Sequence, residues 1–290
     1  MSAPTPAMTD AQFPDGAQVR VRRVTPPKVI ANAGLIAIGF LFVLPLIWLL
    51  FASVDSRASW GVELPHLTFA NFSHVLGASE LHSLYISFVL ASVATVVGTV
   101  AGTLAAYAFS RRRVPWGGPI LLFVLFLSGV PITVMIVPIF QLFSQEGWLT
   151  VLPAAVFLGV TALPFEIWII KNFIDAVPIE LEEAARIEQA GTMRIIVRIV
   201  TPLALPGIGA AAIFCFVNAW GSFLIPLVLI SDSTQQPAPI TIYSFIGSSV
   251  VHYGDIAAFS ILYSAPVVAL YLILGRLFRG GFVLGGAVKG

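Results

Sequence analysis

Between Leu81 and Ser110 this chain carries no Asp, Glu, Lys or Arg, and the same is true from Val114 to Gln145 and from Ile199 to Ser231. Nothing else in the sequence constrains the fold as strongly, because about 20 mostly apolar residues cross the hydrocarbon core of a bilayer as one helix. No water is available there to the backbone, so each segment must satisfy its own N–H and C=O groups. Three further runs qualify: Ala31 to Val54, Ile256 to Gly275, and Leu149 to Ile170, the last with Glu166 as its one acid. Composition agrees. Hydrophobic residues make up 58% and charged residues 10%, against about 25% charged in soluble domains. So few charges cannot cover the surface of a water-soluble chain of 290 residues. A soluble enzyme, an extracellular domain and a disordered regulator are all excluded. The expectation is an all-α membrane protein with six transmembrane helices.

Lys and Arg set the orientation. Arg20, Arg22, Arg23 and Lys28 precede the first run, Arg111 to Arg113 follow the second, and Lys171, Arg186, Arg194 and Arg198 follow the fourth. Arg276, Arg279 and Lys289 close the chain. Of the 15 basic residues only Arg57 falls on the opposite side, so both termini are expected in the cytoplasm. The first run lies too far into the chain, and is too long, for the apolar core of a cleaved signal peptide; it reads as a retained helix. Residues 1–28, rich in Pro, Ala, Thr and Asp, read as a disordered cytoplasmic tail. Residues 29–290 read as the transmembrane domain. No internal repeat is visible.

Much chemistry is missing. No Lys is followed by Ser or Thr, so no phosphate-binding Walker loop exists. His66, His74, His82 and His252 lack metal-ligand spacing, and a single cysteine, Cys215, forms no disulfide framework. No metal and no cofactor is expected on this chain. A net charge of +1 offers no basic patch for nucleic acid. Glu166 is the one acid within the runs, whereas a stand-alone ion-coupled transporter usually keeps several on its path. That alternative stays open here, but a solute carrier of this composition would draw its energy from elsewhere.

The connection after the fourth run is unlike a linker. Pro178 suits the first turn of a helix, and Glu180, Glu182 and Glu183 complement the positive helix end. Leu181, Ala184, Ala185 and Glu188 recur at helical spacing, with Ala184-Ala185 small enough for close approach to another surface. Gly191 or Thr192 breaks this helix and starts a second, with Ile195, Ile196, Ile199 and Val200 on its apolar side. Pro202 is expected to end that second helix near the membrane surface.

The segment Glu183-Ala184-Ala185-Arg186-Ile187-Glu188-Gln189-Ala190-Gly191, followed by Ile199-Val200-Thr201-Pro202, resembles the EAA motif of permease subunits in binding-protein-dependent ABC importers. The motif's usual form is E-A-A, three residues, Gly, nine residues, then I-x-L-P. Gln189 stands at the motif's Gly and Thr201 at its Leu, with Gly191 placed to supply part of the lost flexibility. Ala105 to Arg111, Leu163 to Trp168, Trp220 to Leu224 and the ending Gly281 to Gly290 are similar to further stretches of the carbohydrate branch, of the maltose-transporter second-subunit type. The resemblance implies a type I importer permease fold in a bacterial cytoplasmic (inner) membrane. It implies that residues 175–202 couple the chain to a separate ATPase, with Glu183 meeting a basic residue there. The implied partners are a second homologous permease, two ATPase subunits carrying ATP and Mg, an extracytoplasmic solute-binding protein and a carbohydrate. Gln141, Glu166, Asn218, Trp220 and Ser222 are the candidate pathway residues; for Gln141, Asn218, Trp220 and Ser222 the alternative is a plain bond to a neighbouring helix, and for Glu166 a shallow carboxylate that is hydrated or paired, with Lys171 about 7.5 Å along the helix. Gln235 and Gln236, in the outward connection, are the candidate binding-protein contacts.

Overall fold

The structure is a computed structural model describing residues 26–61, 65–112, 114–246 and 251–286; the tail before residue 26 and the last four residues lie outside the described residues. The chain divides inside its first helix, at Ile47 and Trp48, into two units. In the first unit, α1 (Pro26–Ser53) presents Leu35, Ile36, Phe40 and Phe42 as exposed side chains, the composition of a lipid-facing or partner-facing span.

The second unit is built on three long helices. A short α2 (Ala70–Val75) leads into α3 (Ala78–Arg111), and α6 (Val151–Asp175) and α9 (Thr201–Trp220) pack against it. Small residues let these backbones approach, as is usual where lipid provides no hydrophobic drive between helices. A Cβ added to Gly159 of α6 would lie 2.6 Å from the carbonyl oxygen of Ala94 on α3. Around this contact Leu90, Ala91, Ala154, Ala155, Leu158 and Cys215 form one buried cluster. A second cluster lies toward the positively charged end, where Ile170, Ile174, Ile195, Val200 and Ala204 close over Ala106 and Tyr107. Among the described residues, strand structure is limited to isolated bridges at Asp55–Leu67 and Ile246–Val251.

Among the described residues, five helices are long and apolar enough to cross a membrane. The third run is not one straight span, contrary to the sequence expectation. It forms α4 (Gly117–Leu127) and α5 (Ile132–Gln145), bent by 88°, and only if this pair counts as one span does the number reach six. The cause is local. Pro131 has no N–H and biases Val130 toward an extended backbone. The N–H groups of Ser128, Gly129 and Val130 fall back on carbonyls three residues earlier, so α4 closes in a tight last turn before the break.

The second correction concerns Pro202, which does not end a helix. A four-residue helix, α8 (Thr192–Ile195), runs through a π turn at Ile196–Val200 into α9, and Thr192–Trp220 forms one span. Thr201 N–H donates to the Ile196 carbonyl, widening the coil just ahead of Pro202. That widening makes room for a ring that would otherwise meet the carbonyl of Arg198. The fifth apolar run also ends its helix earlier than its composition suggests. After Gly221 the chain turns into α10 (Leu224–Leu229), a 3-10 turn at Ser233–Gln235 and α11 (Ala238–Ser244). The last helix, α12 (Tyr253–Gly286), is hydrogen-bonded to α9 by Trp220 and Tyr263. Trp220 Nε1 donates to the Tyr263 carbonyl at 3.2 Å, and Tyr263 Oη donates to the Trp220 carbonyl at 2.8 Å.

Candidate functional site

The acidic loop folds as α7 (Ile179–Ile187), entered from Pro178 with ψ 128°, and one of its carboxylates faces inward. Glu182 is fully buried. Its Oε1 accepts from Arg111 Nε at 2.6 Å, and its Oε2 accepts from Tyr107 Oη at 2.8 Å and from Arg186 Nη2 at 3.2 Å. Arg111 also reaches the corner between α6 and α7, where Nη2 donates to the carbonyls of Ile174 at 2.9 Å and Val177 at 2.6 Å. Beside it Lys171 Nζ and Ser110 Oγ both donate to Asp175, each at 2.6 Å. The sequence expectation treated Glu182 as one of three acids at a helix start and Arg111 as a topological charge. The one local hint of its role was Arg186, one helical turn on, where an i, i+4 pair forms. Arg111 lies 71 residues away, and nothing in the chain's periodicity links the two.

The other face of α7 is open. Glu183 and Ala184 are exposed, and Ile187 is 84% exposed, so an apolar side chain stands beside a carboxylate on a rigid, anchored helix. Glu180, Glu183, Ala184 and Ile187 recur at the spacing of one helical face. Glu188, Gln189, Gly191 and Pro202 are exposed as well, whereas Ala185, Ala190 and Ile199 are half-buried.

The helix ends in a Schellman arrangement: Ala190 N–H donates to the Ala185 carbonyl at 2.9 Å and Gln189 N–H to the Arg186 carbonyl at 3.0 Å. Gln189 takes the left-handed conformation this requires, with φ 60°. Gly191 does not share it; it caps α8 with φ −69°. The expected substitution of Gly191 for the missing glycine therefore does not occur, because the reversal falls on Gln189 itself.

The candidate pathway residues scatter. Asn218 and Ser222 line a cavity of about 710 Å3 at the α4–α5 break, together with Ser128, Thr161, Phe165 and Phe214. Asn218 Nδ2 is engaged by the Phe214 carbonyl at 2.8 Å. Gln141 is exposed on α5, outside this lining. Trp220 is buried and spends its N–H on α12. Glu166 is fully buried between α3 and α6, in a notch where a Cβ on Gly98 would lie 2.5 Å from its Oε2. Its Oε1 receives a 3.4 Å hydrogen bond from Thr99 Oγ1, the Cys215 thiol of α9 lies beside the carboxyl, and no N–H or O–H group reaches Oε2. Lys171 pairs with Asp175 and not with Glu166.

On the outward side Gln235 Nε2 donates to Asp232 at 3.2 Å and Gln236 Nε2 to the Ile230 carbonyl at 2.9 Å. Hydrogen bonds from the Thr234 hydroxyl and backbone N–H hold the Asp232 carboxyl below its usual range. Among the described residues no cluster of His, Cys, Asp and Glu could hold a metal ion.

Residues 98–280 match the family described as binding-protein-dependent transport system inner membrane component. The chain belongs to this family. The matched region includes the Arg111–Glu182 contact, all of α7 and the cavity. As a permease of an ABC importer, the protein is a multi-pass inner-membrane component of a transport system.

It is similar to the sulfoquinovosyl glycerol transport system permease SmoH of Agrobacterium fabrum, 30% identical over 268 residues, covering 90% of this chain and 93% of that protein. It is also 30% identical over 255 residues to the trehalose transport system permease SugB of Mycobacterium tuberculosis, covering 86% and 93%. Its fold resembles a chain from the crystal structure of a bacterial ABC transporter importing the acidic polysaccharide alginate. There the TM-score is 0.74 at 20% identity, covering 88% of this chain and 98% of that one. A chain of the MetNI methionine ABC transporter is similar at TM-score 0.54, 19% identity, and 74% and 99% coverage. A stand-alone secondary transporter has no support among these relatives.

Proposed function

We propose that this permease forms half of a transmembrane pathway for a sugar or sugar derivative and is driven by ATP through residues 175–202. The observation that carries the coupling half of this reading is the two-faced α7. Glu182 is buried in charge-assisted bonds, while Glu183, Ala184 and Ile187 stand out on the opposite side. A helix held so firmly on one face and open on the other is suited to seat in a groove of another protein. Its carboxylate would meet a basic residue there in a charge-assisted contact.

The other half of the pathway would be a second permease of the same family, beneath two ATPase subunits that bind ATP and Mg. ATP-driven closure of those subunits would draw the two loops together and open the bundle to a sugar-loaded binding protein. The substrate class is supported by the relatives named for trehalose and sulfoquinovosyl glycerol transport. Gln235 and Gln236 are the residues we place nearest that binding protein. Asn218 and Ser222 are the pathway residues with access to a cavity.

The test is ATP-driven sugar uptake in proteoliposomes holding this chain with the permease, ATPase and binding protein encoded beside it. Trehalose and sulfoquinovosyl glycerol are the first substrates to try. Glu183→Lys should assemble yet lose sugar-stimulated ATP hydrolysis and uptake together. Normal uptake by this variant, or the absence of any co-purifying ATPase, would reduce α7 to a connector.

A further inference from the structure

We propose that Arg111 and Glu182 form the joint that passes movement of the coupling loop directly to α3. The proposal rests on the ATP-driven reading above and adds the route by which the loop's motion enters the bundle. By chain connectivity α7 touches only α6, through Ala176, Val177 and Pro178, and α8, through the turn at Glu188 to Gly191. Links so short can swivel, and a swivelling loop would dissipate the displacement applied to its open face.

Arg111 removes that freedom at the α6–α7 corner. One of its nitrogens, Nη2, holds the carbonyls of Ile174 and Val177, which flank the corner, while Nε holds Glu182 one turn into α7. Tyr107, one turn before Arg111 on the same face of α3, adds a second bond to Glu182, and Arg186 closes the set from α7 itself. The Arg111 side chain is 8% exposed and the Glu182 side chain is fully buried. Separating a buried carboxylate from its guanidinium leaves an uncompensated charge, so the two move together or not at all. The guanidinium fork is planar and permanently charged, which fixes direction as well as distance.

The receiving helix is well placed to use the displacement. From Arg111 to Ser87 the axis of α3 runs about 36 Å at about 1.5 Å per residue. At that far end Ser87 Oγ accepts the N–H of Ala238, at the start of α11 in the outward connection. One stiff element therefore touches both the coupling loop and the outward connection.

A static anchor would show the same bonds, so the test must read motion. In full complexes Cys215, the chain's one cysteine, is replaced (Cys215→Ala), and Val100→Cys on α3 and Leu181→Cys on α7, off the face that would meet the ATPase, carry spin labels. Both sites are exposed. Pulsed electron–electron distances are taken without nucleotide and with ATP trapped. In the parent the distance distribution stays narrow and unmoved between the two states. In Glu182→Gln and in Arg111→Lys, which keeps the charge and loses the fork, it broadens. Uptake per ATP hydrolysed then falls about tenfold, within the usual range of a coupling free energy.

A narrow, unmoved distribution in Arg111→Lys overturns the joint, as does an unchanged uptake-to-ATP ratio whatever the absolute rates. Should Glu182→Gln fail to assemble, Arg111→Lys still decides. Absence of ATP-driven uptake in the parent would defeat the functional reading alone, because the distances are read independently of transport.

Discussion

Gln189 holds a left-handed backbone, φ 60°, at the position where the EAA motif usually has glycine. For a residue with a Cβ that conformation costs roughly 1–2 kcal/mol, of which glycine's greater freedom in the unfolded chain returns about 0.5–1 kcal/mol. Gln189→Gly should therefore stabilise the turn by about 0.5–1 kcal/mol, seen as slower hydrogen exchange at the Ala190 amide. Unchanged exchange there would show the turn does not depend on that residue, and faster exchange that glycine's freedom in the unfolded chain outweighs the relieved strain. Glu166 carries the opposite expectation. With one oxygen unpartnered in a tight glycine notch, it gains nothing from charge, whereas a buried charge is costly. Glu166→Gln should insert, fold and transport at near-parent levels, while Glu166→Lys, longer and charged against Gly98, should fail to accumulate in the membrane. Loss of uptake in a well-folded Glu166→Gln would give the carboxylate a role in transport. The residue motif was legible in the sequence down to the spacing of Glu183 and Pro202. The burial of its neighbour Glu182 was not, because adjacent glutamates look alike until a partner 71 residues away is in place.

At the scale of elements, what unites α3 and α6 is close backbone approach and not side-chain bulk, whereas α9 meets α6 where the Phe173 ring lies over Gly207. Ala94, Ala154, Ala155 and Gly159 meet at the centre of the contact. Gly159→Ala forces a methyl against a backbone carbonyl that has no rotamer to yield. A loss of about 1–3 kcal/mol is expected, measured as a lower melting temperature in detergent, while the nearby exposed substitution Val160→Ala should leave it unmoved. Equal melting of the two variants would mean the helices part freely at this point. The break between α4 and α5 belongs to this scale too. Pro131 and Gly129 were visible in an apolar run long enough to cross once, but a proline in a membrane helix yields a kink, a π turn or a full break depending on its neighbours. At Pro202 the coil widened and continued, whereas at Pro131 it turned by 88°.

For the whole molecule the energy source is the defining property. The buried acid of α6, Glu166, is sealed between helices and is not part of the lining of the cavity that Asn218 and Ser222 share, although Cys215 beside it is. Uptake in proteoliposomes should persist when proton and sodium gradients are collapsed, provided ATP is present, and should stop when ATP is omitted. Dependence on an ion gradient in the presence of ATP would reverse the reading. The cavity's aromatic pair, Phe165 and Phe214, has ring centroids 4.1 Å apart beside the Asn218 amide. Asn218→Ala is expected to raise the sugar concentration for half-maximal uptake by about 5-fold to 100-fold, in line with about 1–3 kcal/mol for a hydrogen bond left unmade in a closed site. An unchanged concentration dependence would remove Asn218 from the pathway.

The sequence by itself determined the solvent, the orientation and the family. Charge-free runs leave a bilayer as the one environment that tolerates them, the distribution of Lys and Arg acts before any tertiary contact forms, and motif spacing is a property of the chain alone. Tertiary structure decided which polar residues are joints and which are surfaces. Glu182 and Glu183 differ by one position on a helix, about 100° of rotation, and that angle takes meaning only from Arg111 and Tyr107 arriving on one side. Likewise Trp220 became a tie to Tyr263 and Asn218 a cavity wall because α12 and the α4–α5 break stand on different sides of α9. Packing partners far apart in sequence leave no periodicity to read, so their pairing had to be seen.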